Sequence, residues 1–156
     1  MIRTWRIVHQ RNAETAFSGE GSRKRGGRWN GRGYRAVYVA DSLALATLEI
    51  LVHGVPYEAL DRFVCIPALI PEELITDIKI EELPPGWRND PPLQQLQDIG
   101  NKCIRDNRYA VLKVPSAVIP IEFNYVINPT HAAFKQIIIG TAEHHTFDNR
   151  LSTIHH

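Results

Sequence analysis

The chain has 156 residues, of which 44% are hydrophobic and 22% are charged. This length suits one domain, and the composition excludes a disordered or low-complexity protein. The 18 basic and 17 acidic residues give a formal net charge of +1, which excludes a polycation built to coat nucleic acid.

The cysteines and the N-terminus indicate the cellular compartment. Cys65 and Cys103 lie far apart and form no CxxC motif, so we expect reduced thiols rather than a disulfide. The N-terminal residues MIRTWRIVHQR lack the apolar core of a signal peptide, and no run of about 18 apolar residues occurs. We therefore expect a cytoplasmic protein that does not span a membrane. The terminal His155 and His156 fit a native end and a purification tag equally well.

The hydrophobic pattern predicts a mixture of strands and helices. Two helices are predicted, at residues 43–53 with an N-cap at Asp41 or Ser42, and at residues 93–107. Residues 83–92, which contain four prolines, are too broken for regular structure. Because strands and helices do not strictly alternate, we predict an α+β fold in a single domain over residues 1–156. The predicted strands are residues 4–9, 35–40, 62–70, 74–80, 109–114, 117–121 and 136–142.

A basic, glycine-rich stretch, GEGSRKRGGRWNGRGYR, occupies residues 19–35 and holds six of the ten glycines and six basic residues. We expect a flexible loop that can bring backbone N–H groups and guanidinium groups close to a phosphate. It matches neither the P-loop nor the Rossmann fingerprint. Solvated mobility or electrostatic contact with nucleic acid would explain it as well, although Trp29 and Tyr34 favour at least partial packing.

Glu49 is the only charged side chain between Asp41 and His53, inside a helix that is apolar on nearly every face. Burial of an unpaired carboxylate costs roughly several kcal/mol of folding free energy. The Glu49 carboxyl group must therefore be neutral, paired or facing a wet cleft. A catalytic or ligand-binding carboxylate and a structural one remain open at this point. The pair His144 and His145 lacks further metal-ligand spacing, so we expect no metal site.

Three separated motifs carry a resemblance to a known family. GGRWNGRGYRAVYVADSLALATLEILVH resembles the N-terminal half of the RES domain family, the toxins of RES–Xre toxin–antitoxin modules. The Arg, Glu and Ser that name the family match Arg28 in GGRWN, Glu49 in ATLEILVH and Ser116 in VPSAVIP. NYVINP and the closing HAAFKQIIIGTAEHHTFDNRL resemble the family's ending, so the similarity covers nearly the whole chain. Residues 83–92 match least.

The resemblance implies a fold, a reaction and a partner. The fold would be that of ADP-ribosyltransferases, with a split mixed sheet and flanking helices around an NAD cleft. The reaction would deplete NAD+ by cleaving the nicotinamide–ribose bond, with water or phosphate as acceptor, and would arrest growth. Transfer of ADP-ribose to a host protein is the alternative. NAD+ would be a substrate, with no further cofactor. The partner would be an Xre-type helix-turn-helix antitoxin, with a homodimer possible and with neither nucleic acid nor membrane bound directly.

The resemblance also implies roles for particular residues. Glu49 would stabilise the oxocarbenium-like ribose, and Arg28 would bind the pyrophosphate. Ser116 would contact the ribose or a phosphate, or orient Arg28. The remaining candidates for substrate contacts are Tyr38, by stacking on nicotinamide, with Trp29 and Asn124. Judged by the residues alone, strand packing explains Tyr38 and a turn after Pro115 explains Ser116.

A nucleic-acid binding module that uses the Arg/Gly stretch is the competing hypothesis from another class. It predicts a salt-dependent affinity that drops steeply when Arg23, Lys24 and Arg25 are neutralised, and it gives Glu49 no role. The near-neutral net charge counts against it.

Overall fold

One eight-stranded sheet with three α-helices makes up the computed structural model, which describes residues 1–151. His155 and His156 lie outside the described residues. No helix within residues 1–151 has the length and apolar character needed to cross a membrane. The helices are α1 Glu20–Arg25, α2 Leu43–Val52 and α3 Gln94–Asp106. The strands are β1 Ile2–His9, β2 Val37–Ala40, β3 Phe63–Ile70, β4 Ile75–Asp77, β5 Val111–Pro115, β6 Phe123–Ile127, β7 Ile138–Ile139 and β8 Glu143–His144.

The sheet is mixed and splits near its middle. Its order is β4-β5-β6-β2-β1-β3-β7, with β8 also paired to β3, and β4 with β5 is the parallel pair. β1 pairs with β3 along its whole length, from Ile2 opposite Ile70 to His9 opposite Phe63. It meets β2 only at Trp5 opposite Ala40. Ala40 is the last residue of β2, so the rest of that strand does not pair with β1, and the predicted α+β class with a split mixed sheet is confirmed.

The two long helices pack on the sheet through apolar faces. Leu45 and Ala46 of α2 lie in one buried cluster with Ile7 and Phe63. α3 buries Leu96 completely, in a cluster with residues of β5 and β6. Burial of such side chains contributes about 1.5–3 kcal/mol each. The cap predicted for α2 is confirmed at Ser42, whose Oγ accepts a hydrogen bond from Leu45 N at 3.0 Å.

The strand predicted at residues 117–121 is wrong. Residues 116–122 form a turn closed by hydrogen bonds from Ser116 N to Glu122 O and from Glu122 N to Ile119 O, both 2.9 Å. The apolar residues of this stretch suggest a strand, but Pro120 has no N–H to donate to a neighbouring strand and Ile121 is 86% exposed. The strand that this prediction missed is β6, which begins after the turn.

Two other strand predictions are too long. Residues 74–80 contain only the three-residue β4, and a 3-10 turn at Ile80–Glu82 follows. Residues 136–142 contain only the two-residue β7, because a 3-10 helix at Ala132–Gln136 occupies the chain before it. The helix predicted at residues 93–107 is confirmed as α3, and Asn107 ends it in the left-handed region with φ 53°.

The basic stretch at residues 19–35 is ordered rather than a flexible loop. It contains α1, and Glu20 forms ion pairs with Arg23 at 2.9 Å and Arg35 at 2.8 Å. Trp29 is 3% exposed and Asn30 is completely buried. The expected partial packing is therefore confirmed, whereas the expected flexibility is wrong because buried side chains inside the stretch tie it to the rest of the protein.

Candidate active site

A cleft of about 910 Å³ opens where the sheet splits. β1, β2, α2 and β6 contribute to its walls, together with the basic stretch and the proline-rich segment, residues 83–92. Five of the six site residues proposed from the sequence line this cleft: Arg28, Trp29, Tyr38, Glu49 and Asn124. The sixth, Ser116, lies directly behind Glu49.

Two neutral donors hold the Glu49 carboxylate by one oxygen. Its Oε1 accepts hydrogen bonds from Ser116 Oγ at 3.0 Å and from Asn124 Nδ2 at 2.8 Å. Within residues 1–151, no side chain or backbone group donates to Oε2, and no cation lies within 4.0 Å of the carboxylate. Of the alternatives left open by the sequence, the structure favours a carboxylate at a cleft wall with one oxygen free for a ligand.

The regular structure around Glu49 explains this geometry. Asn124 lies on β6 between two neighbouring strands, opposite Ala40 of β2 and Val114 of β5. Its backbone is therefore held on both sides, and its amide has a defined position beneath α2. A carboxylate oxygen that accepts two such hydrogen bonds keeps its orientation before any ligand arrives.

Ser116 is completely buried and uses its hydroxyl group fully. Its Oγ donates to Glu49 and accepts from Val118 N at 3.0 Å and Ile119 N at 3.1 Å. The structure thus gives this hydroxyl a partner different from the ribose, phosphate or Arg28 expected from the sequence. In this structure the Ser116 hydroxyl is linked to the cleft through its hydrogen bond to Glu49.

Tyr38 and Asn30 form a buried polar pair at the base of the basic stretch. The Tyr38 hydroxyl donates to Asn30 Oδ1 and accepts from Trp29 N at 3.0 Å. The Asn30 amide donates to Ser22 O and Tyr34 O, each at 3.0 Å. Burial raises the pKa of Tyr38, so the hydroxyl stays protonated and keeps donating. Asn30 was not among the residues predicted from the sequence. The one available feature was its position next to Trp29, for which the sequence favoured packing.

Helix α3 holds the same stretch from its other side. Gln97 Nε2 donates to Gly27 O at 2.9 Å, and Asn101 Oδ1 accepts from Gly31 N at 2.8 Å. Gly100 packs so closely that an added Cβ would lie 1.6 Å from Trp29 O. Trp29 reaches the cleft but packs mainly in the core, in a cluster with Leu96.

Four arginines line the cleft, Arg6, Arg25, Arg28 and Arg88, and the guanidinium groups of Arg28 and Arg6 are held by backbone carbonyl groups. Arg28 Nη1 donates to Trp87 O at 3.1 Å and Asn89 O at 2.8 Å, both in the proline-rich segment. Arg6 Nε donates to Ala16 O at 2.6 Å and its Nη1 to Tyr38 O at 3.0 Å. Neither has a carboxylate within 4.0 Å among the described residues.

Burial lowers the pKa of Arg6 to about 10, which leaves it charged at neutral pH without a counter-ion among residues 1–151. The cleft is therefore suited to an anionic ligand. Arg6 was not among the site residues predicted from the sequence, because the segment around it was considered only as a strand. An arginine in the middle of a central strand was the feature that could have indicated a site residue.

The two adjacent histidines are engaged elsewhere. His144 Nε2 lies 2.9 Å from Asp61 O, and His145 Nε2 lies 3.0 Å from Thr47 Oγ1. Across residues 1–151 no three His, Cys, Asp or Glu side chains are grouped to hold a metal ion.

Comparisons with known proteins agree with this architecture. A model of the RES domain matches residues 3–148. A protein named Toxin Res from Photorhabdus laumondii subsp. laumondii is 37% identical over 134 residues, covering 86% of each chain. A protein named Prs ADP-ribosylating toxin from Sphingobium sp. (strain YBL2) is 34% identical over 156 residues, covering 94% of each chain. The M. tuberculosis MbcT–MbcA toxin–antitoxin complex contains a chain of similar fold, with TM-score 0.79 and 18% identity over 92% of this chain and 84% of that one.

Proposed function

The chain belongs to the RES domain family, and from that membership we propose that it is the toxin of a toxin–antitoxin system that depletes NAD+ by cleaving the nicotinamide–ribose bond. The observation that carries the proposal is the Glu49 carboxylate, held by one oxygen and free at the other, in a cleft with cations that lack counter-ions. The two features match two parts of NAD+, a ribose that becomes positive and a diphosphate that is negative.

The chemistry at Glu49 follows from how the bond breaks. Departure of nicotinamide leaves an oxocarbenium-like anomeric carbon, as in glycoside hydrolysis. Glu49 Oε2 would stabilise this developing positive charge or accept a hydrogen bond from the ribose 2′-hydroxyl. Because Ser116 and Asn124 already hold Oε1, the carboxylate needs little reorganisation at the moment of reaction. Groups placed in this way contribute about 3–4 kcal/mol to catalysis.

The remaining cleft residues would bind the dinucleotide. Arg28 uses only Nη1 on the proline-rich segment, which leaves Nε and Nη2 to donate to phosphate oxygens. Arg6 would neutralise the same anion from β1. Tyr38 would present its ring to the nicotinamide, while its hydroxyl stays bound to Asn30. NAD+ is proposed as the substrate, with no additional cofactor.

The acceptor decides the class of enzyme. Water would make the protein a glycohydrolase, and phosphate a phosphorylase. The name of the Sphingobium relative, an ADP-ribosylating toxin, supports a second candidate, transfer of ADP-ribose to a host protein. As partner we propose an Xre-type helix-turn-helix antitoxin, which agrees with the occurrence of the structural neighbour in a toxin–antitoxin complex. A cytoplasmic location and a homodimer are part of the same proposal.

Product analysis tests this function directly. Purified protein is incubated with NAD+, with and without phosphate, and nicotinamide and the ADP-ribose product are separated by chromatography. We expect nicotinamide release, with a phosphorylated ADP-ribose product in phosphate if phosphate is the acceptor. Intact NAD+ under all conditions, together with label transfer from NAD+ to a protein in a cell lysate, would favour the second candidate. Intact NAD+ and no label transfer would refute both.

A further inference from the structure

The proline-rich segment forms part of the cleft wall, although nothing in the proposed reaction yet uses it. Arg88, Asp90 and Pro92 line the cleft. Trp87 packs against the cluster that α3 forms with β5 and β6. The segment is therefore anchored in the core on one side and open to the cleft on the other.

Arg28 and the proline-rich segment form one hydrogen-bonded unit. The carbonyl groups that accept from Arg28 Nη1, those of Trp87 and Asn89, belong to the residues on either side of Arg88. The backbone at residue 88 is thus held beside the guanidinium of Arg28. This contact places a second arginine on the same wall as the arginine assigned to the pyrophosphate.

The Arg88 side chain is fixed at one nitrogen and open at the others. Its Nε donates to Ala117 O at 2.9 Å, and Ala117 directly follows Ser116, which holds Glu49. Its two terminal amino groups have no acceptor within residues 1–151, and no carboxylate, including that of Asp90, lies within 4.0 Å. A guanidinium that is oriented at Nε and lacks an anion is prepared to bind one through its terminal N–H groups.

We propose that Arg88 is a second phosphate-binding residue, which with Arg28 forms a clamp for the diphosphate of a dinucleotide. The clamp rests on the proposed function for the identity of its ligand. A diphosphate fits better than a single phosphate, because two guanidinium groups on one wall can each take a different phosphate group. The proline-rich segment then determines specificity, since dinucleotides gain a contact that mononucleosides lack.

Calorimetric titration in a Glu49→Gln background tests the clamp without consuming the ligand. NAD+ and inorganic pyrophosphate are titrated into E49Q and into the double variants E49Q/R88Q, E49Q/R88K and E49Q/R108Q. We expect R88Q to weaken both ligands about tenfold or more, the scale of a lost charge-assisted hydrogen bond. R108Q removes the same charge from an exposed arginine outside the cleft and should change neither affinity.

The lysine variant separates binding from mere anchoring. R88K keeps the positive charge but loses the planar guanidinium whose Nε binds Ala117 O. If Arg88 binds phosphate, R88K keeps the positive charge and recovers part of the lost affinity, although lysine does not reproduce the planar guanidinium. If Arg88 only anchors the segment, R88K is as weak as R88Q, and the proposal is overturned. Unchanged NAD+ and pyrophosphate affinity in R88Q overturns it as well.

Orthophosphate distinguishes a substrate clamp from an acceptor site. If R88Q weakens orthophosphate but leaves NAD+ and pyrophosphate unchanged, Arg88 serves a phosphate acceptor and the clamp is refuted. If the wild-type protein leaves NAD+ intact while pyrophosphate binds E49Q and depends on Arg88, the proposed function fails and the diphosphate clamp stands.

Discussion

Glu49 and Arg28 lie in the same cleft, but the protein holds them by opposite means. Two side chains fix Glu49, that of Asn124 on β6 and that of Ser116 in the turn directly after β5. Backbone carbonyls of an irregular segment fix Arg28. The sheet and the turn after β5 thus set the geometry of the carboxylate, whereas the proline-rich segment sets the geometry of Arg28. We expect the carboxylate end to control the rate of the chemical step and the arginine end to control binding.

The largest effect expected is that of Glu49→Gln on the rate. Gln keeps the shape and can still accept from Ser116 and Asn124, but it lacks the negative charge that stabilises the cationic ribose. We expect kcat for nicotinamide release to fall about a hundredfold or more, with the far-ultraviolet circular dichroism spectrum unchanged. A variant with the rate of the wild type would exclude Glu49 as the catalytic carboxylate.

Removing the donors to Glu49 should have a smaller effect on the same step. Asn124→Ala and Ser116→Ala each take one hydrogen bond from Oε1, and we expect kcat to fall about tenfold, equivalent to about 1.4 kcal/mol. Ser116→Ala also leaves the N–H groups of Val118 and Ile119 without an acceptor, which costs about 1–3 kcal/mol of folding stability. Denaturant unfolding should therefore separate the two variants, and equal stabilities would contradict the contacts assigned to Ser116.

Gly100→Ala should act on the opposite end of the cleft. The added methyl group would collide with the Trp29 carbonyl and displace the stretch that carries Arg28. Overpacking of this kind lowers the folding stability by about 1–3 kcal/mol. Because the displaced stretch carries Arg28, we expect KM for NAD+ to rise more than kcat falls. Gly21→Ala is the matched control, because its Cβ meets only the end of the flexible Arg25 side chain at 3.0 Å. If kcat falls while KM is unchanged, the assignment of binding to the arginine end and of the rate to the carboxylate end is wrong.

The smallest effect expected concerns pH and the back of helix α2. Thr47 donates to Leu43 O at 2.8 Å, so its oxygen accepts from His145 Nε2. Burial, with a further contribution from His144, lowers the pKa of His145. A histidine whose folded-state pKa is lowered stabilises the fold above its unfolded pKa of about 6.5 and loses that contribution as the pH falls through the folded pKa.

Free energies of unfolding measured at decreasing pH check this assignment. We expect the wild type to lose stability below about pH 6.5 and His145→Gln to lose less over the same interval. Parallel curves for the two proteins would show that His145 does not titrate against folding.

The fold was predictable where periodicity and local capping decide it. The apolar spacing and the cap at Ser42 predicted α2, and a run of apolar residues predicted β3. The turn at residues 116–122 was not predictable from apolar content, since its conformation depends on Pro120 and on long-range pairing of β6. The basic stretch was misjudged for a related reason, because Gln97, Gly100 and Asn101 of α3 hold it through contacts that are distant in sequence.

The residues of the candidate site were predictable, but the hydrogen bonds between them were not. The family motifs led to Arg28, Glu49 and Ser116, and the apolar helix alone singled out Glu49. That Ser116 faces Glu49 rather than Arg28 depends on how the turn after β5 meets α2, which no local pattern encodes. Arg6 and Arg88 escaped notice because an arginine is a common surface residue, and only burial or cleft geometry distinguishes them.

One pair of values tests the division between the two ends of the cleft most directly, namely the dissociation constant of NAD+ for E49Q and kcat for the same protein. We predict that E49Q binds NAD+ with an affinity within a few-fold of the wild-type protein's affinity for ADP-ribose, while nicotinamide release is almost abolished. Loss of NAD+ binding in proportion to the loss of kcat would contradict it, since Glu49 would then hold the substrate rather than act on the breaking bond.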